Sequence, residues 1–239
     1  MISSKRIDAI CCCVDKPVVA EVGADHGHIT HTLFKQNKIK KAYLTDISQK
    51  CLDKAVKNFS SSPYQSQVKF LVGDGLNALK DEQTLQPHFL TQLESKFVPN
   101  DNMQIIIAGM GGLEIIKILS SNQADKFTHF VLQPQRNVIE LRKFLQDNNY
   151  KILSDLMVRE GKIFYNVIKA QKTDGIYTLT EDELLYGKTN LINPNKDFIE
   201  YVKFELTKLK EISKVKKVEE IENKIFSLQK LFVQINKGE

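Results

Sequence analysis

The sequence predicts an α/β protein with a mostly parallel, doubly wound sheet of seven strands, followed by a helical C-terminal segment. Over the first 170 residues, short apolar runs alternate with amphipathic helical patterns, which is typical of such a sheet. Two runs of alternating apolar and polar residues close this part and predict an antiparallel end hairpin. Residues 195 to 237 contain neither proline nor glycine, which favours long helices.

The first strand, expected at Val18–Val22, runs into a loop that contains Gly23 and Gly27. Upstream, a serine is expected to cap a short helix over residues 5 to 14. Apolar residues flank Glu21 within the strand, which indicates that the strand is buried on both faces. Together with a helix directly after the loop, these elements form the start of a nucleotide-binding βαβ unit.

The charge of this loop indicates which nucleotide it binds. A dinucleotide-binding loop presents bare amides and a helix N-terminus to a pyrophosphate. Glu21 and Asp25 place two carboxylates there instead, and these repel phosphate. They suit a ligand that has a cationic amino group and no phosphate, as S-adenosylmethionine does. An NAD-dependent enzyme is disfavoured for the same reason.

The second strand, Lys41–Asp46, ends in an acidic residue. Asp46 lies 19 residues beyond Gly27, close to the offset at which an acid binds a ribose diol. The alternative is that Asp46 or Ser48 only caps the helix Gln49–Phe59.

The third strand, Val68–Val72, leads into Gly73-Asp74-Gly75. Asp74 either accepts a hydrogen bond from an adenine amino group or belongs to a simple turn. The polar residues 80 to 102 then predict a loop-like insertion with one short helix near residues 89 to 97.

The fourth strand, expected over residues 103 to 108, runs into Gly109-Met110-Gly111-Gly112. This glycine run lies at the carboxyl edge of the central strands, where doubly wound sheets bind ligands. The helix that follows has one expected apolar face, formed by Leu113, Ile116 and Leu119.

The remaining elements of this part are a fifth strand, a helix and a hairpin. They are expected at residues 127–133, 138–148, 150–158 and 162–170. Pro134 ends the fifth strand, and Glu160-Gly161 fits the two-residue turn of the hairpin.

Two domains are expected, with residues 1–170 as the α/β domain and residues 171–239 as a linker and an antiparallel coiled-coil domain. Apolar residues at alternating spacings of three and four predict the coiled-coil seam. They are Val218, Ile221, Ile225, Leu228, Phe232 and Ile235. Two helices would meet near residues 213 to 217, and one long helix is the alternative.

Composition argues against a membrane protein. The chain is 42% hydrophobic and 26% charged, and its most apolar window falls well short of the roughly 20 residues that span a bilayer. No apolar signal segment opens the sequence, so we expect a cytoplasmic protein. The four cysteines have neither zinc-ligand nor disulfide spacing, and no set of histidines, cysteines and acids predicts a metal site.

The net charge of +5 lies entirely in the first domain. Residues 1–170 hold 22 Lys and Arg against 17 Asp and Glu, whereas residues 171–239 hold 12 of each. This excess fits a polyanionic partner such as nucleic acid, or a lysine-rich surface that serves solubility alone.

Five motifs resemble those of the bacterial tRNA (adenine(22)-N1)-methyltransferase family, and they occur in the same order between about Arg6 and Ala170. They are Glu21–His26, Gly73–Leu76, Ala108–Gly112, Leu132–Pro134 and Glu160–Tyr165. The C-terminal helices resemble that family's C-terminal domain in architecture. The resemblance implies a Rossmann-like class I methyltransferase fold, S-adenosylmethionine as donor, S-adenosylhomocysteine as product, and methylation of N1 of an adenine in the tRNA D-arm.

The resemblance also implies the site residues. The cofactor would be held by Glu21, Gly23, Asp25, His26, Gly27, Asp46, Ile47, Gly73, Asp74, Gly75, Ala108 and Gly109. The residues nearest the reaction would be Asp25, Gly109 and Met110. The tRNA would contact Arg6, Met110, Gly111, Gln133, Pro134 and Arg136.

The residues after the fourth strand are consistent with this chemistry. Enzymes that methylate exocyclic amines carry Asn/Asp-Pro-Pro-aromatic there, whereas this chain has Ala108-Gly109-Met110-Gly111. Adenine N1 has an in-plane lone pair, so no strong base is needed, and alignment of the reactants supplies much of the rate. No sequence feature identifies a general base, and the polar candidates near the site are Asp25, His26 and Arg6. A methyltransferase of another acceptor and a non-catalytic tRNA-binding module stay open as alternatives. We expect a monomer whose C-terminal helices dock tRNA.

Overall fold

The computed structural model describes residues 4–80, 100–215 and 218–236. Its strands are β1 (Val18–Val22), β2 (Lys41–Asp46), β3 (Val68–Val72), β4 (Asn100–Met110), β5 (Phe127–Pro134), β6 (Tyr150–Glu160) and β7 (Ile163–Lys172). Its α-helices are α1 (Lys5–Cys12), α2 (His28–Lys35), α3 (Gln49–Phe59), α4 (Gly112–Leu119), α5 (Val138–Asp147), α6 (Glu181–Tyr186), α7 (Lys188–Ile192), α8 (Lys196–Val215) and α9 (Glu219–Asn236). The short helix expected near residues 89 to 97 lies outside the described residues.

The strands form one seven-stranded sheet in the order β3-β2-β1-β4-β5-β7-β6. The first five strands of this order are parallel, and β7 runs antiparallel to both β5 and β6. The predicted Rossmann-like sheet with an antiparallel end hairpin is therefore confirmed. Because the strand order reverses between β1 and β4, the carboxyl ends of these two strands form the topological switch point where such sheets bind ligands.

Both faces of the sheet are covered by apolar helix faces. In β4, Ile105 and Ile107 belong to one core cluster and Ile106 belongs to the cluster on the opposite face. This alternation follows from the two-residue period of a strand, and it explains why the central strands read as unbroken apolar runs. Two helix starts follow local chemistry, because the side chains of Ser4 and Ser48 each accept a hydrogen bond from an amide in the first turn of their helix.

The hairpin turn was predicted one residue too early. Glu160 pairs with Ile163, so the two-residue turn is Gly161-Lys162 rather than Glu160-Gly161. Gly161 has φ of +62° in this turn, a backbone conformation that glycine adopts without strain.

Two predictions around β4 are also corrected. The strand begins at Asn100, so residues 100 to 102 extend the sheet instead of belonging to the insertion. In α4, Leu113 is 54% exposed and Ile115 is fully buried, which differs from the predicted apolar face. The helix begins with Gly112 packed against the backbone of Asn137, and that close approach sets which face of α4 meets the core.

The expected linker after residue 170 packs against the sheet. Leu179 is buried in the main core cluster, and Tyr177 and Leu184 pack against it. The boundary after residue 170 stays a prediction.

The outer edge of β6 is covered by side chains from α7 and α8. Thr189, Asn190 and Asp197 accept hydrogen bonds from the backbone amides of alternate β6 residues, at 2.9, 3.1 and 2.9 Å. Backbone groups of an edge strand that would otherwise be unpaired are thereby satisfied, which protects the edge. Side chains of the C-terminal segment thus attach it to the backbone of the edge strand β6.

Helices α8 and α9 pack as an antiparallel pair, which confirms the prediction of two helices. The buried residues near the sheet are Phe198, Val202, Leu206, Leu228, Leu231 and Ile235. Toward the turn the apolar stripe opens, and Val215 and Val218 are 85% and 45% exposed. Among the described residues, no helix has the length and apolar composition needed to cross a membrane.

Candidate active site

The predicted site residues gather at the carboxyl ends of the five parallel strands. The loops after β1 and β2 are joined through the backbone, because the amides of Gly23 and Ala24 donate to the Thr45 carbonyl at 2.8 and 3.0 Å. Arg6 alone comes from α1, and its Nη1 reaches Oε1 of Gln133, near the end of β5, at 2.9 Å. One edge of the sheet therefore brings together loops that are distant in sequence.

Asp46 links the loops that follow the first three strands. Its Oδ1 accepts from the amide of Ser48 at 2.9 Å, and its Oδ2 accepts from the amide of Asp25 at 3.4 Å. Its carbonyl accepts from the amide of Gly73 at 3.0 Å. Each carboxylate oxygen has a further acceptor site, so Asp46 remains able to bind a diol. The adjacent Ile47 side chain is 70% exposed and offers an apolar surface at the rim.

Asp25 is the exposed carboxylate of the loop after β1. Its Oδ1 accepts from Nζ of Lys54 at 2.7 Å, and Nε2 of His26 lies 3.7 Å from Oδ2. The hydrogen bond from Lys54 holds the pKa of Asp25 below its ordinary value, so this carboxylate is anionic at neutral pH. Lys54 lies on α3 and was missed at the sequence level, because its helical spacing gives no sign of a partner in another loop.

Glu21 has a different environment from Asp25. Its carboxylate is buried, and Oε2 accepts from both the amide and the hydroxyl of Thr30, at 3.1 and 2.6 Å. Burial raises the pKa of Glu21 to about 7, although the bonds from Thr30 and the charge of Arg6 oppose this shift. The sequence did not indicate Thr30. In the structure Glu21 holds the first turn of α2, and its contact with a cofactor stays a prediction.

At the switch point, Gly23 in the loop after β1 packs against the side chain of Met110 at the end of β4. Gly23 has φ of +71°, and a Cβ added to it would lie 2.1 Å from Cε of Met110. The loop after β1 therefore packs directly against the end of β4. Gly27, by contrast, faces Leu44 and Phe59, so its lack of a side chain serves the packing of α2.

Gly109 forms a bulge at the end of β4. The pairing register between β4 and β5 shifts between Ala108 and Met110, and Gly109 has φ of +78°. Its amide donates to Oε1 of Gln133 at 3.2 Å, and the Met110 carbonyl accepts from the amide of Gln135 at 2.8 Å. A Cβ added to Gly109 would meet no described atom within 4 Å, so this backbone borders open space.

The other predicted residues lie at the rim or behind it. His26 is exposed, and its ring stacks on His28 with centroids 5.2 Å apart. Arg136 is exposed and pairs with Glu114 at 3.3 Å, beside Gly111. Pro134 is buried at the end of β5, whereas in the loop after β3 Asp74 is exposed and Gly75 packs near Ile118 of α4. Within residues 4–80, 100–215 and 218–236, no group of three histidines, cysteines or acids is arranged to hold a metal ion.

Comparisons with known proteins find a matching family model and similar proteins. A family model described as a methyltransferase domain matches residues 3–168. A candidate tRNA methyltransferase of Mycoplasma genitalium is 31% identical over 193 residues, which are 79% of this chain and 78% of that protein. The tRNA (adenine(22)-N1)-methyltransferase of Bacillus subtilis is 25% identical over 160 residues, or 66% and 59% of the two chains.

The fold is shared with a solved structure over the whole chain. A candidate tRNA (m1A22) methyltransferase of Streptococcus pneumoniae in complex with S-adenosyl-L-methionine has a TM-score of 0.77 at 22% identity. The alignment covers 97% of this chain and 100% of that one. Similarity therefore extends beyond the sheet to the C-terminal helices.

Proposed function

The chain belongs to the methyltransferase domain family, and we propose that it transfers a methyl group from S-adenosylmethionine to N1 of adenine 22 in the D-arm of tRNA. The observation that carries this proposal is the contact between Gly23 and Met110. It places the loop that carries Asp25 directly beside a glycine bulge that borders open space. The Bacillus subtilis relative, which is named for this reaction, supports the choice of acceptor.

The residues of the site fit this cofactor. Asp46 would bind the ribose hydroxyls with the acceptor sites that its backbone partners leave, and the exposed Ile47 would flank the adenine. Asp25 would hold the ammonium group through Oδ2, because Lys54 occupies Oδ1. When bound, the cofactor supplies an electrophilic methyl group on a sulfonium, and it leaves as S-adenosylhomocysteine.

The chain's own residues position the reactants and stabilise the developing charge, and they do not move a proton. The N1–carbon bond forms from the N1 lone pair as the carbon–sulfur bond breaks, so no proton leaves N1. The lowered pKa of Asp25 agrees with this, because an anionic carboxylate suits ion pairing better than general acid–base transfer. Positive charge passes to the adenine ring, and the fixed dipoles of the Gly109 bulge border the space where it develops. Because N1 lies on the pairing edge, the target base must be unpaired or extruded.

The C-terminal helices are proposed to dock the tRNA, with the protein acting as a cytoplasmic monomer of two domains, 1–170 and 171–239. Support comes from the edge of β6, where hydrogen bonds from β6 amides to side chains of α7 and α8 fix α7 and the start of α8. A hairpin fixed in this way projects from the sheet at a constant position and suits a large, rigid substrate.

The test is methyl transfer to a defined tRNA. Purified full chain is incubated with a tRNA transcript and S-adenosylmethionine, and the product nucleosides are identified by mass spectrometry. Primer extension should stop at position 22, because N1-methyladenine does not pair, and a transcript with guanine at that position should show no stop. Methylation elsewhere would favour another acceptor, and tRNA binding without any transfer would favour a non-catalytic module.

A further inference from the structure

Gln133 lies near the end of β5 with its side chain fully buried. Its Oε1 accepts from Nη1 of Arg6 at 2.9 Å, from the amide of Gly109 at 3.2 Å and from Nε2 of Gln135 at 3.4 Å. Its Nε2 donates to the Pro134 carbonyl at 3.0 Å. Both ends of the amide are engaged inside the protein, which is the pattern of a group that orients its neighbours.

The Gln133 side chain supplies the acceptor for the Gly109 amide, which the strand pairing does not. In a bulge, the extra residue of one strand is left without a partner in the ladder, so its amide is free to bind an acceptor elsewhere. Here Gln133 reaches across from β5 and accepts from that amide. The orientation of the peptide at Gly109 is therefore set by a side chain.

Arg6 supports this acceptor with its charge. A cationic donor makes a stronger hydrogen bond than a neutral one, so Arg6 fixes the Gln133 carbonyl in place. The guanidinium is itself held over the ring of Tyr165, with its central carbon 5.6 Å from the ring centroid. Its charge also opposes the rise in the pKa of Glu21 in β1.

We infer that Gln133 and Arg6 are positioning residues for methyl transfer, which act by setting the peptide at Gly109 rather than by contacting tRNA. This inference rests on the proposed function. In-line transfer requires N1 and the methyl carbon to be aligned, and a misplacement of about 1 Å costs about 100-fold in rate. The residue that borders the open space is therefore the one whose orientation matters most.

The test compares two equally buried glutamines of the same sheet. Gln104, near the start of β4, accepts from the Asp15 amide at 3.0 Å and donates to the Cys13 carbonyl at 3.2 Å. Gln133→Leu should lower kcat for tRNA by about 100-fold while KM for tRNA and the cofactor Kd change less than about twofold. Gln104→Leu should lower the melting temperature comparably and leave kcat within about twofold.

A conservative variant and a second residue complete the experiment. Gln133→Glu keeps an acceptor for both Gly109 and Arg6, so it should recover at least about tenfold in kcat over Gln133→Leu. Arg6→Met should lower kcat in the same direction, and it replaces Gln133→Leu if that variant does not fold. Equal kinetic profiles for Gln133→Leu and Gln104→Leu, or a loss in cofactor affinity that accounts for the loss in rate, would overturn the inference.

Amide hydrogen exchange at Gly109 separates this inference from the proposed function. Exchange should be faster in Gln133→Leu than in the unchanged protein and in Gln104→Leu. If the unchanged protein methylates no tRNA, the proposed function fails, and exchange at Gly109 still decides whether Gln133 holds the bulge. If the enzyme is active and Gln133→Leu does not change amide exchange at Gly109, the positioning role is wrong and the proposed function stands.

Discussion

Gly23 and Met110 meet across the switch point of the sheet, where a Cβ on the glycine would lie 2.1 Å from Cε of the methionine. Gly23 opens the loop after β1, and Met110 is the last residue of β4. The two halves of the site therefore touch, and a side chain on Gly23 would require Met110 to move. A change at this contact should affect donor binding before it affects anything else.

Gly23→Ala should weaken S-adenosylmethionine binding by at least about tenfold, or about 1.4 kcal/mol. The new methyl group displaces Met110 into the cleft, and the φ of +71° adds strain of about 1–2 kcal/mol. Calorimetry with the donor measures the effect. Gly161→Ala is the control, because it has φ of +62° and no atom near its added Cβ, so it should keep donor affinity at a similar cost in stability. Equal donor affinities in the two variants would contradict the prediction.

Gly109→Ala should separate donor binding from transfer. Its methyl group would enter the open space beside the bulge, at a residue with φ of +78°. Donor affinity should stay within about twofold, and kcat/KM for tRNA should fall by about tenfold or more because the target base loses room. Parallel calorimetry and methyl-transfer kinetics test this. A loss of donor affinity as large as that of Gly23→Ala would place Gly109 on the donor side instead.

Asp46→Asn should weaken donor binding by about 1.5–3 kcal/mol, the contribution of hydrogen bonds to a charged group. The variant keeps an oxygen for only one of its two backbone partners, and it loses the charge that binds the ribose diol. Asp53→Asn serves as the control, since Asp53 is an exposed acid on α3 that accepts from Gln49. Full donor affinity in Asp46→Asn would remove the ribose assignment and leave Asp46 as a loop anchor.

Glu21 should make stability depend on pH. Burial raises its pKa from an ordinary value of 4.5 to about 7, so between these values the folded protein binds more protons than the unfolded chain. The free energy of unfolding contributed by this group is therefore full below about pH 4.5 and falls as pH rises toward about 7, by up to about 3 kcal/mol. Urea titrations from pH 5 to pH 8 should show this decline relative to Glu21→Gln, whose side chain does not titrate. Parallel curves for the two proteins would mean that Glu21 is ionised throughout.

Arg142→Met should destabilise the protein by about 3–5 kcal/mol, because it leaves a buried carboxylate without its partner. Arg142 and Asp155 are both buried, with Nε and Oδ2 2.7 Å apart, and Arg142 also donates to the carbonyls of Leu184 and Leu185 at 2.9 and 3.0 Å. Adding Asp155→Leu should recover much of that loss. Thermal unfolding of the single and double variants checks this, and a double variant no better than the single one would argue against the charge explanation.

The same bonds affect how the C-terminal segment can be removed. A chain cut after residue 173 would lose Leu179 from the core and both carbonyl acceptors of Arg142. A weakened tRNA affinity in such a chain would reflect unfolding. Shortening the outer turns of α8 and α9, where Val215 and Val218 are exposed, tests tRNA docking without disturbing the sheet.

The strands were predictable because each carries a local signal, but for the sheet the prediction went only as far as a doubly wound parallel part closed by an antiparallel hairpin. The predicted bounds of β1, β2, α3 and β3 agree with the structure residue for residue. Buried parallel strands consist of unbroken apolar runs, and glycines and acids mark where they end. The largest difference in bounds falls at the start of β4, where polar residues extend the strand. Smaller differences fall at the ends of α1, β4, β6 and β7, and at the hairpin turn, where more than one turn register fits the sequence.

The sequence alone determined the sheet, the acidic glycine loop and the position of Asp46 at the end of β2, since these depend on residue type and spacing along one segment. Only the tertiary structure decided which carboxylate is exposed, because Thr30 binds Glu21 while Lys54 binds Asp25 from another helix. It also decided that Gln133 serves the Gly109 bulge. Such roles depend on contacts between residues that are far apart in the chain. Only the folded sheet brings these residues together, and no local sequence pattern indicates which of them will meet.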